Sequence, residues 1–265
     1  MPNYPYNIKK QVIVMENKNN INDDDYVYDN GFHPNEVKLK KDYKLYREDL
    51  FYKIINKFVV ILLVIGYFFP KYLVWGFKTI GRKNKKYLKG AVVVSNHSHQ
   101  LDATFTLQAN LSKRFYITSL ESNLGFGWIS KVFRGAGVVP IPTDKDLLKR
   151  FYKETPEMIK KGNNIIIYPE ASLIPYCDHI RDFKQGAFRI AIAANAPIVP
   201  IVYTFHKPYG IYKLTRGNKP LIHQNILDPY YVKDMGNKKL TIETASNELH
   251  EIIKSYFNLH SDFYK

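Results

Sequence analysis

The apolar positions of this chain fall into two regimes. From Phe58 to Phe69 they run as FVVILLVIGYFF, 12 residues without a charge. Continued through Pro70 and Lys71 to Phe77, the stretch reaches 20 positions, the lower edge of bilayer-spanning length, with a proline and a lysine inside. No polar face interrupts it, so it predicts a helical segment that inserts into a membrane or re-enters it. From about residue 90 the pattern changes to short β-branched runs: AVVVS (91–95), FYITS (115–119), GVVPI (137–141), NIIIY (164–168) and PIVPIVY (197–203). Continuous apolar runs of this length mark strands buried on both faces, and their alternation with helical stretches predicts an α/β fold with a largely parallel sheet flanked by helices.

Helices are expected at 101–112, around 124–134, at 145–161, at 184–195 and at 241–258. In the last of these Ala245, Leu249, Ile252, Ile253 and Tyr256 share a face. Thr155 followed by Pro156 reads as a cap and first-turn proline that restart the third helix. Three regions follow: a polar lead-in over 1–40, a membrane-associating helical segment over 41–88, and an α/β domain over 89–265.

Composition narrows the class. The chain has 265 residues and 45% hydrophobic content, enough to fill a core, while 14 Gly and 14 Pro exclude collagen-like and low-complexity classes. A single cysteine, Cys177, excludes an internal disulfide and places the chain by default on the reducing, cytoplasmic side of a membrane. The net charge of +15 favours anionic partners. The basic residues are scattered and no nucleic-acid-binding signature gathers them, so nucleic acid is not expected. Arg82, Lys83, Lys85 and Lys86 follow the apolar segment as a basic edge suited to lipid headgroups, with Tyr67, Tyr72 and Trp75 at interfacial depth.

Ligands of parallel sheets gather at the carboxyl ends of the strands. There the first β-branched run gives way to NHSHQLD, residues 96–102. Asp102, in the first turn of the next helix, can reach back to one imidazole nitrogen of His97 and leave the other facing a cleft. That pairing makes His97 a candidate general base oriented by Asp102. A zinc reading of His97 with His99 stays weaker, since the remaining histidines form no recognised ligand spacing. Neither Ser95 nor Ser98 lies in a nucleophile elbow.

With NHSHQLD, three further blocks occur in order: GAGVVPIPTD (135–144), YPEAS (168–172) and KQGAFRIAIAANAPIVPIVY (184–203). Over residues 58–205 the chain resembles the glycerolipid acyltransferase family, whose best-known members are 1-acylglycerol-3-phosphate O-acyltransferases. The resemblance implies acyl transfer from an acyl thioester or other activated donor (acyl-CoA, acyl carrier protein or acyl phosphate) to a lysoglycerophospholipid hydroxyl at the membrane, with no metal or dissociable cofactor. It implies catalytic roles for His97 and Asp102. Glu170 becomes an acceptor contact or loop organiser, and backbone amides near Glu170 to Ser172 become candidate oxyanion donors.

Thr143 stands where relatives carry arginine in the second block, and Ala171, Ser172 and Leu173 replace the third block's glycine, threonine and arginine. Recognition of the acceptor's phosphate then falls to Lys184 or Arg181, with Arg134 and Arg189 further away in the sequence, and Pro200 is placed beside the acyl groove. A glycolipid or headgroup-bearing lysolipid acceptor, or a catalytically silent lipid-binding protein, are the alternatives.

Overall fold

Val92, Val93, Val94, Ile165, Ile166, Ile198 and Val199 have no solvent-exposed surface, as strands apolar on both faces require. The computed structural model of the chain describes residues 35–265. The expected lead-in over 1–40 therefore lies mostly outside the described residues. Within them, the order is α1 (Leu50–Leu73), β1 (Lys78–Ile80), β2 (Val92–Ser95), α2 (Asp102–Leu107), β3 (Phe115–Leu120), α3 (Trp128–Ala136), β4 (Val138–Ile141), α4 (Lys145–Lys160), β5 (Asn164–Ile167), α5 (Gly186–Ala194), β6 (Ile198–His206), α6 (Tyr212–Arg216), β7 (Leu221–Ile226) and α7 (Lys238–His260).

The seven strands form one sheet in the order β1-β7-β6-β2-β5-β3-β4. The five strands from β6 to β4 are mutually parallel, with Val93 opposite both Ile166 and Val199. β7 runs antiparallel to β6, and β1 runs parallel to β7. The fold is thus α/β, mostly parallel and flanked by helices, with an apolar helix at the start of the described chain.

Two strands escape the hydropathy pattern. β1 is three residues long. β7 reads LIHQNI and buries His223, Gln224 and Asn225. Two of the three are satisfied by neighbouring carbonyls: Gln224 Nε2 donates to Phe105 of α2 at 2.9 Å and Asn225 Nδ2 to Val202 of β6 at 2.9 Å, whereas His223 stacks on His206 and its Nε2 has no hydrogen-bond partner among the described residues.

Helix boundaries differ where side chains intervene. α2 stops at Leu107 because Asn110 is drawn to the Lys85 and Leu88 carbonyls. The stretch expected to be helical at 124–134 is split, a 3-10 turn over Glu121–Gly125 preceding α3. α4 runs unbroken through Pro156, correcting the expected restart. Thr155 is no cap: its hydroxyl donates to the Phe151 carbonyl at 2.6 Å and meets the Tyr46 hydroxyl at 2.6 Å.

α1 begins earlier than the apolar run, capped by Asp49, whose carboxylate accepts the Tyr52 N–H at 3.0 Å. It is the one helix among the described residues long and apolar enough to cross a membrane. Its buried Asn56 donates to the Gly135 carbonyl at 2.9 Å. A Cβ on Gly135 would meet Val59 at 3.1 Å, so glycine is what lets α1 lie close against α3. Leu50, Phe51, Ile54, Phe58, Leu62, Ile65 and Phe69 point away from the protein.

Candidate active site

β2 ends at Ser95, and Asn96 continues its role with a side chain instead of backbone. Its Oδ1 accepts the Tyr203 N–H at 2.8 Å and its Nδ2 donates to the Tyr203 carbonyl at 3.0 Å, clamping the departing chain to β6. The next residue, His97, is then fixed at the carboxyl edge of the sheet.

Asp102 is fully buried at the first residue of α2. Its Oδ2 accepts the Ser98 N–H at 2.7 Å and the His99 N–H at 2.9 Å, and lies 3.2 Å from His97 Nδ1. A carboxylate held by two amides is fixed in direction. With Nδ1–H donating to it, the imidazole presents a lone pair on Nε2. The ring stacks on Tyr168 at 4.2 Å between centroids, and 25% of the His97 side chain remains exposed. Burial raises the Tyr168 phenol well above its ordinary range, so it stays neutral beside the histidine.

Glu170 reaches this loop from the end of β5. Its Oε2 accepts the His97 N–H at 3.1 Å. The same oxygen accepts Arg181 Nη2 at 2.9 Å, while Oε1 accepts the Arg181 N–H at 3.3 Å. Arg181 Nη1 donates to Ser172 Oγ at 2.7 Å, and Nη2 also donates to the Ser172 carbonyl. Glu170 and Arg181 are both buried, and Arg181 Nε has no protein partner among the described residues. The following segment lies along the histidine loop, Ile174 N–H donating to the His97 carbonyl at 3.2 Å and Tyr176 N–H to the Ser98 carbonyl at 2.8 Å.

The structure therefore brings together His97, Asp102, Glu170, Ser172 and Arg181. Lys184 joins this group through its backbone, and the other candidates lie elsewhere. Thr143 donates through its amide and hydroxyl to Glu121, both at 2.7 Å. Lys184 has an exposed side chain, and its backbone N–H donates to the Pro169 carbonyl at 2.8 Å. Pro200 sits in β6 just before the ladder to β7 begins at Ile201, where the missing N–H breaks no rung. Arg134 ties α3 to the Lys44 and Leu45 carbonyls, and Arg189 is exposed on α5.

One expectation is corrected. The Ala171 and Ser172 amides are bonded within their own turn, to the Tyr168 carbonyl at 3.1 Å and the Glu170 carbonyl at 2.8 Å, so neither is free for an oxyanion. The structure also sets a base beside Cys177: His179 Nδ1 lies 3.7 Å from its Sγ and 2.7 Å from Asp178 Oδ1. Among the described residues these three are the ones whose ligand-type atoms converge, within 4.8 Å.

His99 turns away from His97. Its Nδ1 accepts the Leu101 N–H at 3.1 Å, and its ring packs among Trp75, Phe105 and Tyr176. Burial pushes it down to about 4, so it is neutral at pH 7. Sequence reasoning did not single out Tyr168 or assign Asn96 its clamp; both act through contacts across the sheet.

Comparison with known proteins gives this geometry a context. A chloroplastic 1-acyl-sn-glycerol-3-phosphate acyltransferase of Brassica napus is 33% identical over 116 residues, 42% of this chain and 31% of the relative. A probable 1-acyl-sn-glycerol-3-phosphate acyltransferase of Mycoplasma pneumoniae is 26% identical over 43% of this chain and 44% of its own. The chain thus spans 31% and 44% of the length of these relatives. A crystal structure of the 1-acyl-sn-glycerophosphate acyltransferase from Thermotoga maritima aligns with a TM-score of 0.47 at 20% identity, covering 77% of this chain and 80% of that one. The family model described as Acyltransferase matches residues 77–204, a stretch that includes His97, Asp102, Glu170 and Arg181. Through this sheet core, just under half of its length, the chain is similar to the acyltransferase family.

Proposed function

We propose that the chain is a membrane-associated O-acyltransferase that moves an acyl group from a thioester to a hydroxyl of a lysophosphatidate-like lipid. The observation that carries this reading is the His97–Asp102 pair: a partly exposed imidazole whose Nδ1 is held 3.2 Å from a fully buried carboxylate. A lipid hydroxyl is far too weak an acid to ionise at neutral pH, so it needs a base at the moment of attack. His97 Nε2 takes the hydroxyl proton as the oxygen bonds to the thioester carbonyl carbon. The tetrahedral intermediate collapses with cleavage of the carbon–sulfur bond, and the thiolate recovers the proton from the imidazolium. The products are the ester and a free thiol. Asp102 stabilises the imidazolium without taking the proton.

The relatives' names support a 1-acylglycerol-3-phosphate acceptor. Leu173 offers no charge for its phosphate, and Thr143 is bonded to Glu121. Arg181, buried beside the histidine loop with its Nε unpartnered among the described residues, and Lys184, whose backbone bonds Pro169, are the cations beside the loop that could meet an acceptor oxygen. Because most of this guanidinium already serves Glu170 and Ser172, a headgroup-bearing lysolipid or a glycolipid is the second reading. The outward apolar face of α1 supports association with a membrane, on the cytoplasmic side where the thioester donors are made.

Mass-spectrometric profiling of the purified protein in detergent tests both readings. It offers acyl-CoA, then acyl carrier protein and acyl phosphate, against lysophosphatidate, headgroup-bearing lysolipids and glycolipids. His97-dependent acylation of lysophosphatidate is the expected result. Acylation that survives His97→Ala would overturn the mechanism.

A further inference from the structure

The connection between β6 and β7, residues 207–220, carries apolar side chains where a soluble loop would be polar. Leu214 is 86% exposed and Ile211 70%, with Tyr209 beside them. This connection projects from the sheet edge that bears His97, because β6 is parallel to β2 and the chain turns back only at β7.

Its base is firmly held. Arg216 is buried, donating to the Pro220 carbonyl through Nε at 3.0 Å and to the Tyr176 hydroxyl through Nη2 at 3.1 Å. Tyr176 in turn packs against His99, two residues from His97. On its other side the Tyr212 hydroxyl donates to the Tyr72 carbonyl of α1 at 2.8 Å. The exposed apolar residues at the end of α1, Phe68, Phe69, Tyr72 and Leu73, are thereby joined through Tyr72 and Tyr212 to the connection that carries Ile211 and Leu214.

Charge points to the occupant. Residues 207–220 contain no acidic side chain and include Lys207, Lys213 and Lys219. The 3-10 turn Arg82–Tyr87 that follows β1 adds Arg82, Lys83, Lys85 and Lys86. Apolar tips on a connection that carries lysines and no acid suit an anionic bilayer surface, where the chains take up the tips and the headgroups attract the cations.

We propose that α6 and the residues before it form a second membrane anchor, with Ile211 and Leu214 inserted among the acyl chains and Lys213 at the headgroups. Two contacts, α1 and α6, then hold the His97 edge of the sheet against the lipid surface from which a lipid acceptor would enter. This rests on the membrane reading of α1. Residues 1–34 and a second copy of the chain are the rival occupants of the α6 tip.

The test uses the full chain in a Cys177→Ser background, with a single NBD-labelled cysteine at Leu214 and, as reference, at Phe69 on α1. Phosphatidylcholine–phosphatidylglycerol vesicles should blue-shift both probes, and doxyl-labelled lipid should quench both. If the Phe69 probe responds and the Leu214 probe does not, the second anchor is wrong while the membrane reading stands. If neither responds, both fail. A Leu214 probe already blue-shifted without lipid shows that the chain itself covers the tip, which also overturns the proposal. Ile211→Asp combined with Leu214→Asp should weaken vesicle affinity by roughly tenfold. Both side chains are exposed, so the melting temperature should hold, and unchanged affinity would overturn the proposal.

Discussion

Oδ2 of Asp102 lies 3.2 Å from Nδ1 of His97 while also accepting two backbone amides, from Ser98 at 2.7 Å and His99 at 2.9 Å. One oxygen thus fixes both the fold of the loop and the tautomer of the imidazole. In Asp102→Asn an amide oxygen can keep accepting from the two N–H groups. The histidine then loses its anionic acceptor, and a tautomer with the proton on Nε2 is no longer disfavoured. Acyl transfer should fall by about 10³–10⁴ in kcat with KM little changed. His97→Ala should lose about 10²–10⁴. Steady-state kinetics alongside thermal melts check this; a loss of activity that tracks unfolding would count against the assigned roles.

Arg181 and Glu170 form a buried ion pair at 2.9 Å, and Glu170 also holds the His97 N–H. Removing one partner leaves an uncompensated buried charge. Arg181→Ala should destabilise the protein by about 3–5 kcal/mol in urea denaturation. Arg181→Gln with Glu170→Gln should recover part of that loss, because two neutral amides can bond to each other. A double variant less stable than either single variant would refute the pairing energetics.

Ala171 adopts φ 65°, a left-handed conformation that a Cβ disfavours. The motif that this block resembles carries glycine at the position, and this backbone gives the reason. Ala171→Gly should raise stability by about 1 kcal/mol without altering the turn. A lower denaturation midpoint would show that the strain is absent.

His223 stacks on His206 at 3.8 Å. Burial, and then the neighbouring His206 and Lys78, push His223 down to about 3, and burial also lowers His206. Asp262 opposes the shift without reversing it. In the unfolded chain a histidine protonates near 6.5, so as pH falls from 6.5 toward 3 the unfolded state binds a proton that the folded state refuses. Stability is therefore full above about 6.5 and declines below it, by at most about 1.4 kcal/mol per pH unit for each histidine. The urea midpoint should drop between pH 7 and pH 5, and the drop should be smaller in His223→Gln. Equal slopes for the two proteins would exclude His223 as a cause.

The sequence by itself determined the α/β class and the five parallel strands, because strands buried on both faces must be β-branched and apolar along their whole length. It also located the apolar helix and the local His97–Asp102 relation, since five residues across a strand-to-helix turn leave few other arrangements. β7 was hidden because Gln224 and Asn225 are buried by hydrogen bonding and His223 by stacking on His206, neither of which hydropathy registers. Only the tertiary structure decided which arginine meets Glu170. Arg181 lies 11 residues beyond it, and the Glu170 contact to the His97 amide joins positions 73 apart. Contacts of that kind arise when neighbouring parallel strands deliver their carboxyl ends to one edge, and nothing in local spacing encodes them.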